Sequence, residues 1–258
     1  MLRAIGQAHR VTASGSLPRL GVAPSPPWDG YTRQITAELC RSLGPNLLSV
    51  ALRGSTVRAT AVIGVSDLDL VIVTQKAVMD VAVPHIIAAP DLEVETALAT
   101  DQQLRSDPAF SWLRHNLTFC GFTVWGHDYL RDLPDPKLDD SAFAHVKAVE
   151  KWLKGWIDMM AAAPNDKERK AICTWLMKRV VRTLFESIML EDGSYTRDIY
   201  PCADVASRYY PSLRAEIFAA AELAVTPSPD PKVIEAALAP LHNTLMAAQS
   251  TYKGQVAV

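Results

Sequence analysis

Leu52-Arg53-Gly54-Ser55, followed eleven residues on by Ser66-Asp67-Leu68-Asp69-Leu70-Val71-Ile72-Val73, is the stretch whose reading decides the fold. A Gly-Ser turn leads toward a strand that opens with two aspartates alternating with leucines and then becomes β-branched. Alternation at period two puts Asp67 and Asp69 on one face and Leu68 and Leu70 on the other. Two carboxylates side by side repel each other and are costly to desolvate unless a cation sits between them. Oxygen-only donors at this spacing suit Mg²⁺, which binds through one or two carboxylates plus substrate phosphates. The Gly54-Ser55 turn offers backbone N–H groups and a hydroxyl, the parts of a phosphate cradle. A bare Asp-x-Asp pair is more often the polar face of an edge strand; the turn placed ahead of it is what favours chemistry here.

Working outward, Leu47–Leu52 reads as a short buried strand ahead of the turn, and Ser55 as the cap of a short helix reaching about Val62. Upstream, Tyr31, Ile35, Leu39 and Leu43 recur at helical spacing, so a helix is expected over 29–43. The first 28 residues hold Arg3, Arg10 and Arg19, no acid, and the breaker cluster Pro24-Ser25-Pro26-Pro27; the expectation is a flexible N-terminal extension over 1–28. Downstream, residues 75–88 read as a helix interrupted at Pro84. Asp91-Leu92-Glu93-Val94-Glu95-Thr96 alternates acid and apolar residues, a third strand with its acids on one face. Residues 100–117 read as a helix, and 117–125 as a helix end and a short strand. Charges and prolines mark 131–140 as a linker. From Ser141 onward the pattern is helical, with helices expected over 142–163, 167–190, 204–209, 211–225 and 232–248. The domain expectation is therefore a small mixed α/β domain over 29–140 and a helical domain over 141–258, an α+β chain.

Composition bounds the function. With 258 residues and 49% hydrophobic content, the chain can bury a sizeable core. A net charge of −2 and a pI of about 6.3 lack the basic footprint of a nucleic-acid binder. Cys40, Cys120, Cys173 and Cys202 form no C-x-x-C pair and read as reduced thiols in a cytoplasmic protein. No apolar run reaches the length of a membrane span. The histidines show no metal-ligand spacing, and His127 reads as a turn residue.

The Gly-Ser turn, short helix and Asp-x-Asp strand together resemble the DNA polymerase β-like nucleotidyltransferase superfamily. The resemblance implies Mg²⁺-dependent transfer of a nucleoside monophosphate from an NTP to an acceptor, with two metal ions and ATP or another NTP as co-substrate. It narrows to the aminoglycoside adenylyltransferases of the spectinomycin/streptomycin type, which join such a domain to a C-terminal helical bundle. Their third acid lies in a Leu-Glu-Val strand and is their proposed base; here that matches Glu93, with Glu95 as the alternative. Carboxylates crowded together accept protons more readily, which suits a general base. The implied metal set is Asp67, Asp69 and Glu93, and the implied nucleotide set is Gly54, Ser55, Arg58 and Ser66. The helical domain of such enzymes adds basic residues around a Gly-containing turn, which points to Arg182, Arg197 and Lys178 near Gly193. Lys178 and Arg182, four apart, share a helix face. Members often carry a glycine where this chain has Ala59. Trp175, Tyr195, Tyr200 and Tyr209 read as core before they read as stacking residues.

The acceptor expected from this resemblance is a small-molecule hydroxyl, aminoglycoside-like. Protein or RNA acceptors, and a non-catalytic nucleotide-binding or antitoxin-like regulator, are the alternatives.

Overall fold

The computed structural model describes residues 5–82, 89 and 92–256. The chain divides into two compact units, Ala13–Ser141, and Met1–Thr12 together with Ala142–Val258. The chain order begins with β1 (His9–Arg10), which belongs to the second unit and pairs there with a later strand.

The first unit holds α1 (Trp28–Leu43), β2 (Leu47–Arg53), β3 (Leu68–Thr74), β4 (Val94–Thr100), α2 (Asp101–Ser106), α3 (Ser111–Cys120), β5 (Phe122–Gly126) and α4 (Tyr129–Asp132). The four strands form one mixed sheet in the order β4-β3-β2-β5. β2 is antiparallel to both of its neighbours, and β3 is parallel to β4. All seven residues of β3 are buried, as expected of a strand covered on both faces. Leu68, Leu70 and Ile72 occupy one face. Val71 and Val73 occupy the other, packing with Ala51, Ala99, Leu104, Leu113, Leu117, Tyr129 and Leu133. Burying a leucine side chain is worth about 1.5–3 kcal/mol, and a one-residue slip of β3 would turn Leu68 and Leu70 off their face. That cost fixes the phase of the strand, and with it the face that carries Asp69.

Several elements differ from expectation. The helix expected over 100–117 is split, with α2 ending at Ser106, a 3₁₀ turn over Pro108–Phe110, and α3 following. Pro108 lacks the N–H that would continue the ladder. Thr100 caps α2 with a full capping box shared with Gln103. The helix expected after Ser55 is a single 3₁₀ turn, Thr56–Arg58. The third strand begins at Val94 rather than Asp91; Asp91 and the stretch 83–88 lie outside the described residues, and 75–82 carry no helix.

The segment expected to be a flexible extension is hydrogen-bonded along its described length. In the first unit, Leu17 is buried and its N–H donates to Pro136 O (2.8 Å), Leu20 N–H donates to Phe119 O (2.7 Å), and the Arg19 guanidinium donates to Leu130 O and Leu133 O (2.7 and 2.9 Å). In the second unit, β1 pairs antiparallel with β6 (Ser194–Tyr195), and Val11 N–H donates to Gly193 O (2.9 Å). Backbone pairing of extended chain has no amphipathic period, so the sequence pattern does not announce it.

The second unit is helical: α5 (Val149–Ala162), α6 (Asp166–Glu186), α7 (Met189–Asp192), α8 (Ile199–Tyr209), α9 (Arg214–Val225), α10 (Pro231–Leu238) and α11 (His242–Val256). α6 is its axis, packed against α5, α8, α9 and α11. Asn165 caps it by accepting Glu168 N–H at 2.9 Å. Cys173, Leu176, Met177, Val180, Val181 and Leu184 are its buried side. Gly193, in the left-handed conformation, stops α7. The helix expected over 232–248 breaks into α10 and α11 around Ala239-Pro240. Among the described residues no helix is long and apolar enough to cross a membrane.

Candidate active site

The sheet of the first unit places the candidate acids by register. Arg53 is the partner of Asp69 across the β2–β3 pair, and Asp69 is the partner of Glu95 across the β3–β4 pair. Directly paired residues share a face, so Arg53, Asp69 and Glu95 form one row across three strands. It is the same face that carries Ala51, Val71 and Ala99 deeper in the sheet. The apolar floor under α2 and α3 therefore turns charged at the end of the strands.

Asp69 is only 7% exposed. Its Oδ1 takes a 2.6 Å ion pair from Arg53 Nη2, and the same nitrogen reaches Glu95 Oε2 at 3.5 Å. Arg53 Cζ lies 5.9 Å from the centroid of the Trp112 ring. Asp67 is half-buried; Glu93 and Glu95 are exposed on the edge strand side. Leu68 N–H donates to Glu93 O at 2.9 Å, one step along the same parallel pairing. Thus Asp69 and Glu95 are brought together, while Asp67 and Glu93 each stand two residues earlier in the chain, ahead of the strands.

The turn that precedes β3 is tight. Gly54 has φ +85°, and a Cβ there would fall on Asp69 Oδ2. Only glycine fits between strand and carboxylate. Ser55 O accepts the N–H groups of Arg58 and Thr60 at 3.2 and 3.0 Å. Ala59 closes the turn at φ 58°, ψ 30°, the left-handed region. The backbone at this position thus favours glycine over alanine. Ala59→Gly is expected to raise stability by about 0.5–1 kcal/mol, the left-handed penalty of about 1–2 kcal/mol being partly offset by glycine's greater unfolded freedom. A higher urea midpoint at unchanged slope would show it.

The remaining nucleotide candidates sit as follows. Ser66 Oγ accepts Val62 N–H at 2.9 Å and so pins the 62–66 turn. Arg58 Nη1 lies 3.6 Å from Cys120 Sγ. In the helical unit, Arg182 Nη2 donates to Arg197 O at 3.0 Å, which brings these two expected residues together. Arg197 Nη1 stands 3.9 Å from Glu186 Oε1. Lys178 lies one turn before Arg182 on α6 and is half-buried. Tyr195 is fully buried, and Tyr200 is buried with its hydroxyl donating to Glu222 Oε2 at 3.0 Å, both core residues as read. Trp175 stacks under the Arg179 guanidinium at 3.9 Å. His127 follows the Gly126 turn and bonds Asp132 at 2.8 Å.

The residue missed by sequence reasoning is Arg53. The available signal was a lone arginine ending an otherwise apolar strand, immediately before the glycine.

The donor set is all carboxylate oxygen, Asp69 and Glu95 on two parallel neighbouring strands and Asp67 and Glu93 just ahead of them, and its chemistry is that which a hard divalent cation takes. Among the described residues no three carboxylate, histidine or cysteine side chains close on a common point; the cation between Asp69 and Glu95 is the Arg53 guanidinium.

Comparison with known proteins bears on the fold. No protein-family model matches the sequence, and no curated protein matches it by sequence. The fold, a mixed α+β unit followed by a helical unit, is shared over most of the chain with a solved structure. In particular, the chain is similar to the crystal structure of spectinomycin adenyltransferase AAD(9) from Enterococcus faecialis with ATP and spectinomycin. The TM-score is 0.51 and the identity 13%, over 85% of this chain and 98% of that one. A nucleotidyltransferase-like protein from Exiguobacterium sibiricum 255-15 also matches, with a TM-score of 0.34 and 15% identity over 88% of this chain and 78% of the other.

Proposed function

We propose that the chain is a Mg²⁺-dependent nucleotidyltransferase that moves AMP from ATP onto a hydroxyl of a small-molecule acceptor, aminoglycoside-like, and releases pyrophosphate. The observation that carries this is the register of β3 against β4, which sets Asp69 beside Glu95, next to a glycine turn moulded on Asp69, in a fold shared with AAD(9).

In this reading Asp67 and Asp69 hold the divalent cation, with Glu93 or Glu95 as the third carboxylate. Bound there, the cation supplies charge neutralisation on the triphosphate. Gly54 and Ser55 offer their backbone N–H groups and the serine hydroxyl to the β- and γ-phosphates, with Arg58 and Ser66 as the further members of the nucleotide set. Arg182, Arg197 and Lys178 supply cationic groups, the guanidinium forks matching phosphate oxygens. Glu93 takes the proton of the acceptor hydroxyl as its oxygen bonds to the α-phosphorus. The bond from the α-phosphorus to the bridging oxygen breaks, and pyrophosphate departs with the electron pair. The acidic side chains of Asp67, Asp69, Glu93 and Glu95 would attract a polycationic acceptor.

The test is pyrophosphate release with Mg²⁺ and each NTP, with and without spectinomycin, streptomycin and other polyhydroxylated amines, followed by mass spectrometry of the acceptor. The expected result is release that requires ATP and an acceptor, ceases in excess EDTA, and adds one AMP to the acceptor. Release that continues undiminished in EDTA would sink the metal-dependent reading.

A further inference from the structure

Arg53 stands where the proposed function needs a divalent cation. One nitrogen, Nη2, bridges Asp69 Oδ1 at 2.6 Å and Glu95 Oε2 at 3.5 Å, carboxylates from two adjacent strands. The side chain is 18% exposed, and its Nε is buried with no hydrogen-bond partner among the described residues. The guanidinium is thus committed through one edge only, while its other N–H is left without an acceptor. A buried donor without an acceptor costs about 1–3 kcal/mol. The ion pair sits where Asp69 is almost withdrawn from water, a place where a charge is costly unless it is paired.

We propose that Arg53 is a built-in counter-cation of the acidic row, and that a divalent cation binds Asp69 only in competition with it. The inference rests on the reading of Asp67, Asp69 and the β4 glutamates as the divalent-cation site. It assigns Arg53 the role of a positioning residue: it holds the Asp69 and Glu95 carboxylates side by side when no metal is present, and it weakens the affinity of the nucleotide-free protein for metal. Removing it turns a neutralised row into a repelling one that a divalent cation relieves. The chain then becomes more dependent on metal for its stability and binds metal more tightly.

The experiment is a Mn²⁺ titration of nucleotide-free protein followed by electron paramagnetic resonance, with thermal melting in EDTA and in Mn²⁺, on wild type, Arg53→Met, Arg53→Lys and Asp69→Asn. Arg53→Met is expected to bind Mn²⁺ about tenfold more tightly than wild type, a shift of about 1.4 kcal/mol. It is also expected to melt lower in EDTA and recover with Mn²⁺. Arg53→Lys, which keeps the charge on a point-like ammonium, is expected to fall between them, and it carries the test if Arg53→Met does not fold. Mn²⁺ affinity in the Arg53 variants equal to or below wild type, while Asp69→Asn weakens binding, would overturn the counter-cation role and leave the cation site standing. No Mn²⁺ binding by any of the proteins, with or without ATP, would overturn both.

Discussion

Asp69→Asn is expected to lower pyrophosphate release by at least about 100-fold, the scale of losing one electrostatic group at a reacting centre, and to cost about 3 kcal/mol of stability as well. The two effects have separate causes. The first follows from the proposed role of Asp69 as a metal ligand: an amide of the same shape supplies one neutral oxygen in place of a charged carboxylate. The second follows from packing. Asp69 and Arg53 are both largely withdrawn from water and stand 2.6 Å apart. Removing one partner of a buried pair leaves the other charge uncompensated, typically at about 3–5 kcal/mol. Arg53 keeps Glu95, but that carboxylate is 62% exposed and 3.5 Å away, so it repays only part of the loss. Urea denaturation and the pyrophosphate assay read the two effects independently. The double variant Asp69→Asn/Arg53→Met separates them further. With both charges gone, most of the stability returns, because the pair is coupled, while activity does not. If stability and activity recovered together, Asp69 would be a structural partner of Arg53 and nothing more.

Much of this site is legible in the sequence, up to a definable limit. The alternation of Asp67-Leu68-Asp69-Leu70 states which side chains share a face, and the fully buried leucines at 68 and 70 hold that phase. The Gly54 turn is equally readable, since Leu-Arg-Gly-Ser ends an apolar strand. The choice between Glu93 and Glu95 is different. Alternation alone puts both on one face of the expected strand, and only the register against β3 sets Glu95 beside Asp69 and bonds the backbone of Glu93, just ahead of β4, to Leu68. Register is a property of two strands, and neither strand encodes it alone. Arg53 is hidden for the same reason, because its significance lies in the residue opposite it. The broken helix at Pro108 is a miss of another kind, since the proline was there to be weighed. The N-terminal segment is a third kind. Arg19 and Leu20 are held by carbonyls about a hundred residues away, and no local pattern reports such partners.

Glu186→Ala is expected to destabilise the helical unit by about 3–5 kcal/mol, by leaving buried donors unpaired. Glu186 ends α6 and is 3% exposed. Its Oε2 accepts the backbone N–H groups of His145 and Val146 at 2.9 and 2.8 Å, and its Oε1 stands 2.5 Å from His145 Nδ1. One carboxylate thus ties the start of the unit to the end of its central helix, 41 residues later. Glu186→Gln keeps an oxygen for the two backbone donors and is expected to cost much less, about 1 kcal/mol. The same cluster carries a pH dependence. Burial pushes the His145 imidazole down to about 4, against the opposing pull of Glu186. The unfolded chain takes up that proton near the ordinary value of 6.5, and the folded chain only near 4. Between those values the unfolded state binds more protons, so stability is complete above about pH 6.5 and is lost as the pH falls toward 4. The slope approaches one proton, about 1.4 kcal/mol per pH unit. Urea midpoints measured from pH 7 to pH 4.5 should fall steadily in the wild type and less steeply in His145→Gln. A wild-type midpoint that stayed level over that interval would mean that folded and unfolded chains bind equally many protons, and one that rose as the pH fell would mark His145 as the cation of a buried ion pair with Glu186.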